Sequence, residues 1–263
     1  ESGSDAEPAG SASPLVTSAS EELTAGSGED ELAYRYCTEC DITGERIDRR
    51  HLREQLSTIG GSLVVAGLHS KIRVHIHAND PSEVFRVAAR FGTVAGEKAD
   101  DMQRQQHSAH STDRRVAIVT DSAADIPEAE LDRLDIHMIP VRVHFGARSY
   151  LDKVGITSEE FYAEIERGTE PPKTSQPPPG DFRRQFEFLG SHHSAVISIN
   201  LSSRVSGTCA AAQTAAARTA THGKVSVIDT GNVSAGQGLI AMYAAECAAA
   251  GYDADRIIAA TNA

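Results

Sequence analysis

The sequence predicts an α/β chain in two parts: a small split β-α-β-β-α-β sandwich, then a mostly parallel α/β lobe. Three observations predict it. Residues 33–104 hold four strand-like runs and two helical ones in the order β-α-β-β-α-β. Residues 115–263 alternate short, nearly continuous apolar runs with helical ones, the pattern of a parallel sheet covered on both faces. Ahead of both, residues 1–32 are Ser, Gly, Ala and Glu with little apolar content. They bury too little surface to offset the entropy of ordering and read as a disordered acidic linker.

In the first part the reading runs strand 34–40, helix 48–60, strands 62–66 and 71–77, helix to Gly92, and strand 94–99. Leu52 and Leu56 stand one turn apart, on one face of the first helix. The turn Gly67-Leu68-His69-Ser70 joins the middle strands. Asp80 suits the N-cap of the second helix and Pro81 its first position. Residues 100–114 are polar, and 105–114 read as a linker between the two domains. In the lobe the predicted strands are 116–120, 136–145, 195–199 and 225–229. The predicted helices are 128–134, 158–167, 180–189, 206–221, 235–251 and 253–260.

Composition narrows the functional classes. Apolar residues make up 40% and aromatics 5%, without Trp, so the cores are aliphatic. No apolar run approaches ~20 residues, and no transmembrane segment is expected. The net charge is −12, but residues 1–34 hold eight acids and no Lys or Arg. The rest carries 29 acids against 25 bases, which excludes the clustered basic surface of a nucleic-acid binder. The four cysteines (37, 40, 209 and 247), in a long chain that opens without a secretory signal, read as reduced cytoplasmic thiols. The chain opens without Met and is expected to be a piece of a longer protein.

The predicted strands of the lobe end in hydroxyls and acids: Thr120-Asp121-Ser122, Asn200-Leu201-Ser202-Ser203 and Asp229-Thr230-Gly231. Open α/β sheets bind ligands at these carboxyl ends. A strand, a Ser/Gly turn and a helix start together aim free N–H groups and hydroxyls at an anion. Any one such turn equally well just caps a helix. With Thr174-Ser175-Gln176-Pro177 added, the set points to a site for a carboxylate or phosphate. In the first part, His75 and His77 are two apart on a strand and share a face. With Cys37 they could hold a metal, zinc being suited to a thiolate and imidazoles, or form a proton-transfer site. They could equally be a solvated polar face opposite Val74 and Ile76. Cys37-Thr38-Glu39-Cys40 is not a chelating pair, since residues three apart on a strand face opposite ways.

Four ordered blocks of the lobe resemble the DegV family of fatty-acid-binding proteins. They are 119–127 (Val-Thr-Asp-Ser-Ala-Ala-Asp-Ile-Pro), 174–180 (Thr-Ser-Gln-Pro-Pro-Pro-Gly), 201–208 (Leu-Ser-Ser-Arg-Val-Ser-Gly-Thr), and Val227-Ile228-Asp229-Thr230 with Ser234-Ala235-Gly236-Gln237-Gly238. The resemblance implies that Thr174 and Ser206 hydrogen-bond the carboxylate of a long-chain fatty acid. Ser122, Ser175, Ser202, Ser203, Gly207 and Thr208 would line the mouth. Pro178 stands where the family has Ser, and Cys209 where it has an aromatic. The family also has a second lobe, expected to begin about where this chain stops.

Residues 33–104 resemble the middle domain of the fatty acid kinase subunit, which is built on a dihydroxyacetone-kinase-like nucleotide domain. Tyr36-Cys37-Thr38-Glu39, Gly61-Ser62-Leu63-Val64-Val65 and 71–81 carry the likeness. It implies that Cys37, His75 and His77 form the active-site cluster of that domain. The combination implies a fused fatty acid kinase/DegV protein that makes acyl phosphate. ATP and Mg would belong to a nucleotide domain missing here or supplied in trans, and a homodimer is implied. The alternatives are a non-catalytic lipid carrier or sensor, and a metal-binding regulatory domain joined to a lipid lobe.

Overall fold

A computed structural model describes residues 33–110, 115–168 and 170–261. The acidic stretch 1–32 and the end of the expected linker, 111–114, lie outside them. In the first part β1 (Tyr36–Thr43), α1 (Arg49–Leu56), β2 (Gly60–Leu68), β3 (Lys71–Ala78), α2 (Pro81–Ala89) and β4 (Thr93–Asp101) follow in the predicted order. The strands form one antiparallel sheet, ordered β2-β3-β1-β4. Strand alternation divides its faces. Ile72, Val74 and Ile76 are buried in one cluster with Leu52 and Leu56 of α1 and Val84 and Ala88 of α2. Arg73, His75 and His77 therefore take the opposite face. Gly67, at φ +116°, closes the β2–β3 turn where a Cβ would fall 2.4 Å from the Lys71 carbonyl.

Where it is described, to His110, the segment read as a linker is helical. β4 runs directly into α3 (Met102–His110). This helix latches the two parts together through a histidine. His137 is buried, with Nε2 3.1 Å from Ser108 Oγ and Nδ1 3.2 Å from the Gln185 amide nitrogen. The amide can only donate, so Nδ1 accepts and Nε2 donates to Ser108. Burial drives the His137 pKa down to about 3 and keeps the ring neutral. Arg104 of α3 donates to the Ile136 carbonyl and pairs with Asp132.

The lobe consists of β5 (Val116–Asp121), α4 (Glu128–Leu134), β6 (Ile136–Ile139), β7 (Arg142–Phe145), β8 (Arg148–Leu151), α5 (Ser158–Glu166), β9 (Lys173–Ser175), α6 (Pro179–His192), β10 (Ala195–Asn200), α7 (Thr208–Arg218), β11 (Val225–Asp229), α8 (Ala235–Ala249) and α9 (Ala254–Thr261). β11, β10, β5 and β6 form a parallel sheet in that order. Ile118, Ile136, Ile197 and Ile199 pack against α4, α8 and α9 on one face. Ala117, Val119 and Val196 pack against α6 and α7 on the other. The single strand expected over 136–145 is two strands in different sheets. Pro140 has no N–H to continue a ladder, and the Val141 N–H turns to Ser122 Oγ, 3.0 Å away. β7 then joins a three-stranded antiparallel sheet ordered β8-β7-β9, which the sequence pattern does not announce. Leu151 at the end of β8 packs into the core of the sandwich.

Candidate functional site

The solvent-facing side of the sandwich sheet gathers Cys37, His75 and His77. Cys37 pairs with His77 across β1 and β3, and Glu39 pairs with His75. One donor atom from each of Cys37, His75 and His77 lies within 4.8 Å of the others. Cys37 Sγ is 3.7 Å from His75 Nδ1, close to the ~3.6 Å edge between sulfur and nitrogen in a tetrahedral zinc site, where Nδ1 as a ligand would give up the proton it otherwise donates to Glu39. The three residues thus fit a metal ion with one position left open. Glu39 Oε1 stands 3.4 Å from His75 Nδ1, and its other oxygen is 2.5 Å from Arg73. Burial works against that carboxylate's charge, but the hydrogen bonds from Arg73 and His75 outweigh it and hold its pKa below the usual value. Burial, with Asp100 and Glu39 nearby, pushes the Cys37 thiol up to about 11. Cys40 faces the other way, into the core, as strand alternation requires.

In the lobe, the carboxyl ends of β5, β10 and β11 lie side by side because the strands are parallel. Asp121 ties them together. It is fully buried and accepts from the Leu201 N–H at 2.9 Å, the Ala123 N–H at 3.1 Å and the Gln237 amide at 3.1 Å. Burial raises its pKa and these donors oppose the rise. Asp229 accepts from the N–H groups of Ser203 and Gly231, each at 3.1 Å. The turn 202–206 leads into α7, where Ser206 Oγ accepts from the Thr208 N–H at 3.2 Å and bonds Thr208 Oγ1 at 2.9 Å.

The structure brings the 174–176 strand end onto this turn. A Cβ at Gly207 would fall 1.9 Å from Gln176 Oε1, so the Gln176 side chain lies against the turn at this glycine. Thr174 and Ser203 are exposed, and Ser206 and Gly207 are half-buried. Ser175 Oγ lies 2.9 Å from His144 Nε2 of β7. Three residues expected at the mouth are instead buried. Ser122 is 1% exposed and its hydroxyl accepts from the Val141 N–H. Ser202 accepts from the Arg204 N–H, and Thr208 is fully enclosed at the start of α7. Their hydroxyls close turns, the role Ser and Thr fill at any strand-to-helix junction.

Two arginines of the lobe, missed in the sequence, connect it to the sandwich. Arg142, the β7 partner of Ser175, reaches Glu97 Oε2 at 3.4 Å and Asp181 at 3.7 Å. Arg184 of α6 donates from Nε and Nη2 to Asp100 Oδ1, at 3.3 and 3.2 Å. Asp100 is the β4 residue directly across from Cys37. A cleft of about 180 Å³ opens here, lined by Lys98, Asp100, Asp181 and Arg184 among others. Nothing in the spacing of these charges along the chain marks them, because their partners in the sandwich are 45 and 84 residues away.

Comparison with known proteins divides the chain at the same place. The DegV family profile matches residues 115–263, and the profile of the fatty acid kinase A-like middle domain matches 33–109. A DegV domain-containing protein of Staphylococcus aureus is 39% identical over 145 residues, which is 55% of this chain and 51% of the relative. Protein DegV of Bacillus subtilis is 43% identical over 100 residues, 38% of this chain and 36% of the relative. The crystal structure of Bacillus subtilis DegV, described as a fatty acid binding protein, superposes with a TM-score of 0.53 at 36% identity. It covers 57% of this chain and 53% of its own. A fatty-acid-binding DegV family protein of Thermus thermophilus gives 0.53 at 32% identity, covering 56% and 52%. The chain spans about half the length of these solved structures, and half or less of the curated relatives. Among the described residues, no helix is long and apolar enough to cross a membrane.

Proposed function

Since the chain belongs to the DegV family and carries a domain like the middle domain of fatty acid kinase, we propose that it presents a long-chain fatty acid for ATP-dependent phosphorylation to acyl phosphate. Thr174 and Ser206 hold the carboxylate, with N–H groups of the 202–208 turn as further donors. The turn offers hydroxyls and backbone dipoles and leaves the substrate oxygen its charge. Cys37, His75 and His77 receive the head group. A zinc ion bound there would polarise an oxygen of the carboxylate or phosphate. The nucleotide comes from a further domain, in the same polypeptide or in trans.

The observation that carries this reading is the pair of arginine bridges. Arg142 sits beside Ser175 and reaches Glu97, while Arg184 reaches Asp100 opposite Cys37. They tie β7 and α6 of the lobe to β4, the strand beside β1, which supports bringing the proposed carboxylate site near the Cys/His cluster. The exposed Val205, Val233, Leu239 and Tyr243 supply one wall for an acyl chain, and a second lobe the other. Each methylene left in water forgoes about 0.8 kcal/mol, so residues 1–263 alone bind fatty acid weakly and a second lobe restores binding.

The test uses the complete protein, with that lobe and the nucleotide domain supplied. Thr174→Val and Ser206→Ala are each expected to weaken fatty-acid binding by about 10- to 100-fold, the loss of one donor to a charged ligand. His75→Ala is expected to abolish acyl phosphate formation and leave binding intact. Unchanged affinity in both binding variants would overturn the carboxylate assignment. Full transfer by His75→Ala would overturn the role given to the cluster, and a wild type that forms no acyl phosphate would leave a lipid carrier or sensor as the better reading.

A further inference from the structure

Cys37, His75 and His77 offer three donors, and a metal with three protein ligands keeps one position open for substrate. A fourth candidate donor stands next to them. Asp100 is the direct cross-strand partner of Cys37, and such partners have Cβ atoms about 5 Å apart on the same face. What holds it is Arg184, which takes Asp100 Oδ1 from two guanidinium nitrogens. Asp100 belongs to the sandwich, whereas Arg184 belongs to α6 of the lobe, in the second turn of the helix that starts at Pro179.

We propose that Asp100 is a conditional fourth ligand of the Cys37/His75/His77 site, and that Arg184 of the docked lobe holds it off. With the lobe seated, the ion pair occupies Asp100 and the metal keeps its open position, facing the substrate that the lobe carries. With the lobe displaced, Asp100 turns to the metal and closes the site against water. The fatty-acid-carrying lobe thereby opens the site that acts on its own cargo. The inference rests on the reading of the cluster as a metal site.

The test needs no enzymatic activity and uses the chain of residues 1–263. Cobalt(II) is substituted at the site, and thiocyanate is added as a probe of the open position. In the wild type, thiocyanate is expected to shift the cobalt d–d bands. In Arg184→Met the shift is lost and zinc affinity, measured by chelator competition, rises about tenfold, the size of effect that neighbours of a ligand set exert. Arg184→Met combined with Asp100→Asn restores the thiocyanate response, which separates ligation by Asp100 from the mere loss of a positive charge. The proposal is overturned if Arg184→Met responds to thiocyanate as the wild type does, or if Asp100→Asn does not reverse its effect. A wild-type chain that takes up neither cobalt nor zinc removes the metal reading itself, and this inference with it.

Discussion

The sandwich and the lobe solve opposite problems with their polar residues. In the sandwich, the proposed site sits in the middle of a strand face: Cys37, His75 and His77 project from a sheet whose other face is the hydrophobic core. Fold and site use different atoms of the same strands. In the lobe, the proposed site sits at strand ends, where polar atoms that close the fold lie beside those that would face a ligand. Asp121 shows the cost. Its carboxylate is wholly occupied by Leu201, Ala123 and Gln237 and is unavailable to a ligand, although it lies at the strand ends where ligands bind. A substitution can therefore silence the sandwich site without touching stability, whereas in the lobe the two are coupled.

The largest expected break of that contrast is Asp121→Ala. It removes the acceptor shared by the part-buried Leu201 and Ala123 N–H groups and the buried Gln237 and Asn200 amides, and is expected to lower unfolding stability by about 3 kcal/mol. His75→Ala, at a half-buried position on the open sheet face, is expected to cost less than ~0.5 kcal/mol while abolishing metal uptake. Urea denaturation of both variants measures the difference, and equal losses would erase the distinction. Asp121 also carries a pH signature. Burial raises its folded-state pKa, so the stability it adds is present in acid and lost as pH rises through that pKa. Asp121→Asn, which cannot ionise, is expected to gain on the wild type as pH rises from acid toward neutral.

These properties also explain what the sequence disclosed. The order of the sandwich elements was legible because strand alternation and the Asp80 cap are local signals. So was the face shared by His75 and His77. The parallel core of the lobe was legible because fully buried strands read as apolar runs. The three-stranded sheet was not. β8 and β9 are four and three residues long and largely exposed at their polar positions, and Pro140 is easily read as lying within a strand. Helix α3 was missed because its Gln- and His-rich surface has no apolar stripe, and its anchors, Arg104 and Ser108, act through polar contacts with the lobe. At the site, the residue types were readable but their employment was not. Ser122 and Ser206 look alike in sequence, and only tertiary structure hands the Ser122 hydroxyl to Val141.

A smaller effect sharpens the lobe side. Gly238, near the start of α8, packs against the 122–124 turn, and a Cβ there would fall 2.4 Å from the Ala124 carbonyl. Backbone cannot yield as a side-chain end does, so Gly238→Ala is expected to cost about 1–3 kcal/mol. The same displacement moves Gln237, which donates to Thr120 and Asp121, and with it the strand ends. Fatty-acid binding by the complete protein is therefore expected to fall along with stability. Lost stability with unaltered affinity would show that the ligand turn is insulated from α8.

The smallest effect belongs to the sandwich and is the cleanest test of its separation of fold from site. Asp80 caps α2: its Oδ1 accepts from the N–H groups of Ser82 and Glu83, at 2.8 and 3.3 Å, and from Ser82 Oγ at 2.6 Å. Removing a cap of this kind costs about 1 kcal/mol. Because α2 packs on the core face of the sheet, through Val84 and Ala88, the loss passes into the hydrophobic layer and not to the opposite face. Asp80→Ala is expected to lower the unfolding stability by that amount and leave zinc affinity at Cys37, His75 and His77 unchanged, while Asp80→Asn recovers most of the stability. If zinc affinity falls in step with stability across the two variants, the cluster is strained by its core, and the sandwich couples fold to site as tightly as the lobe does.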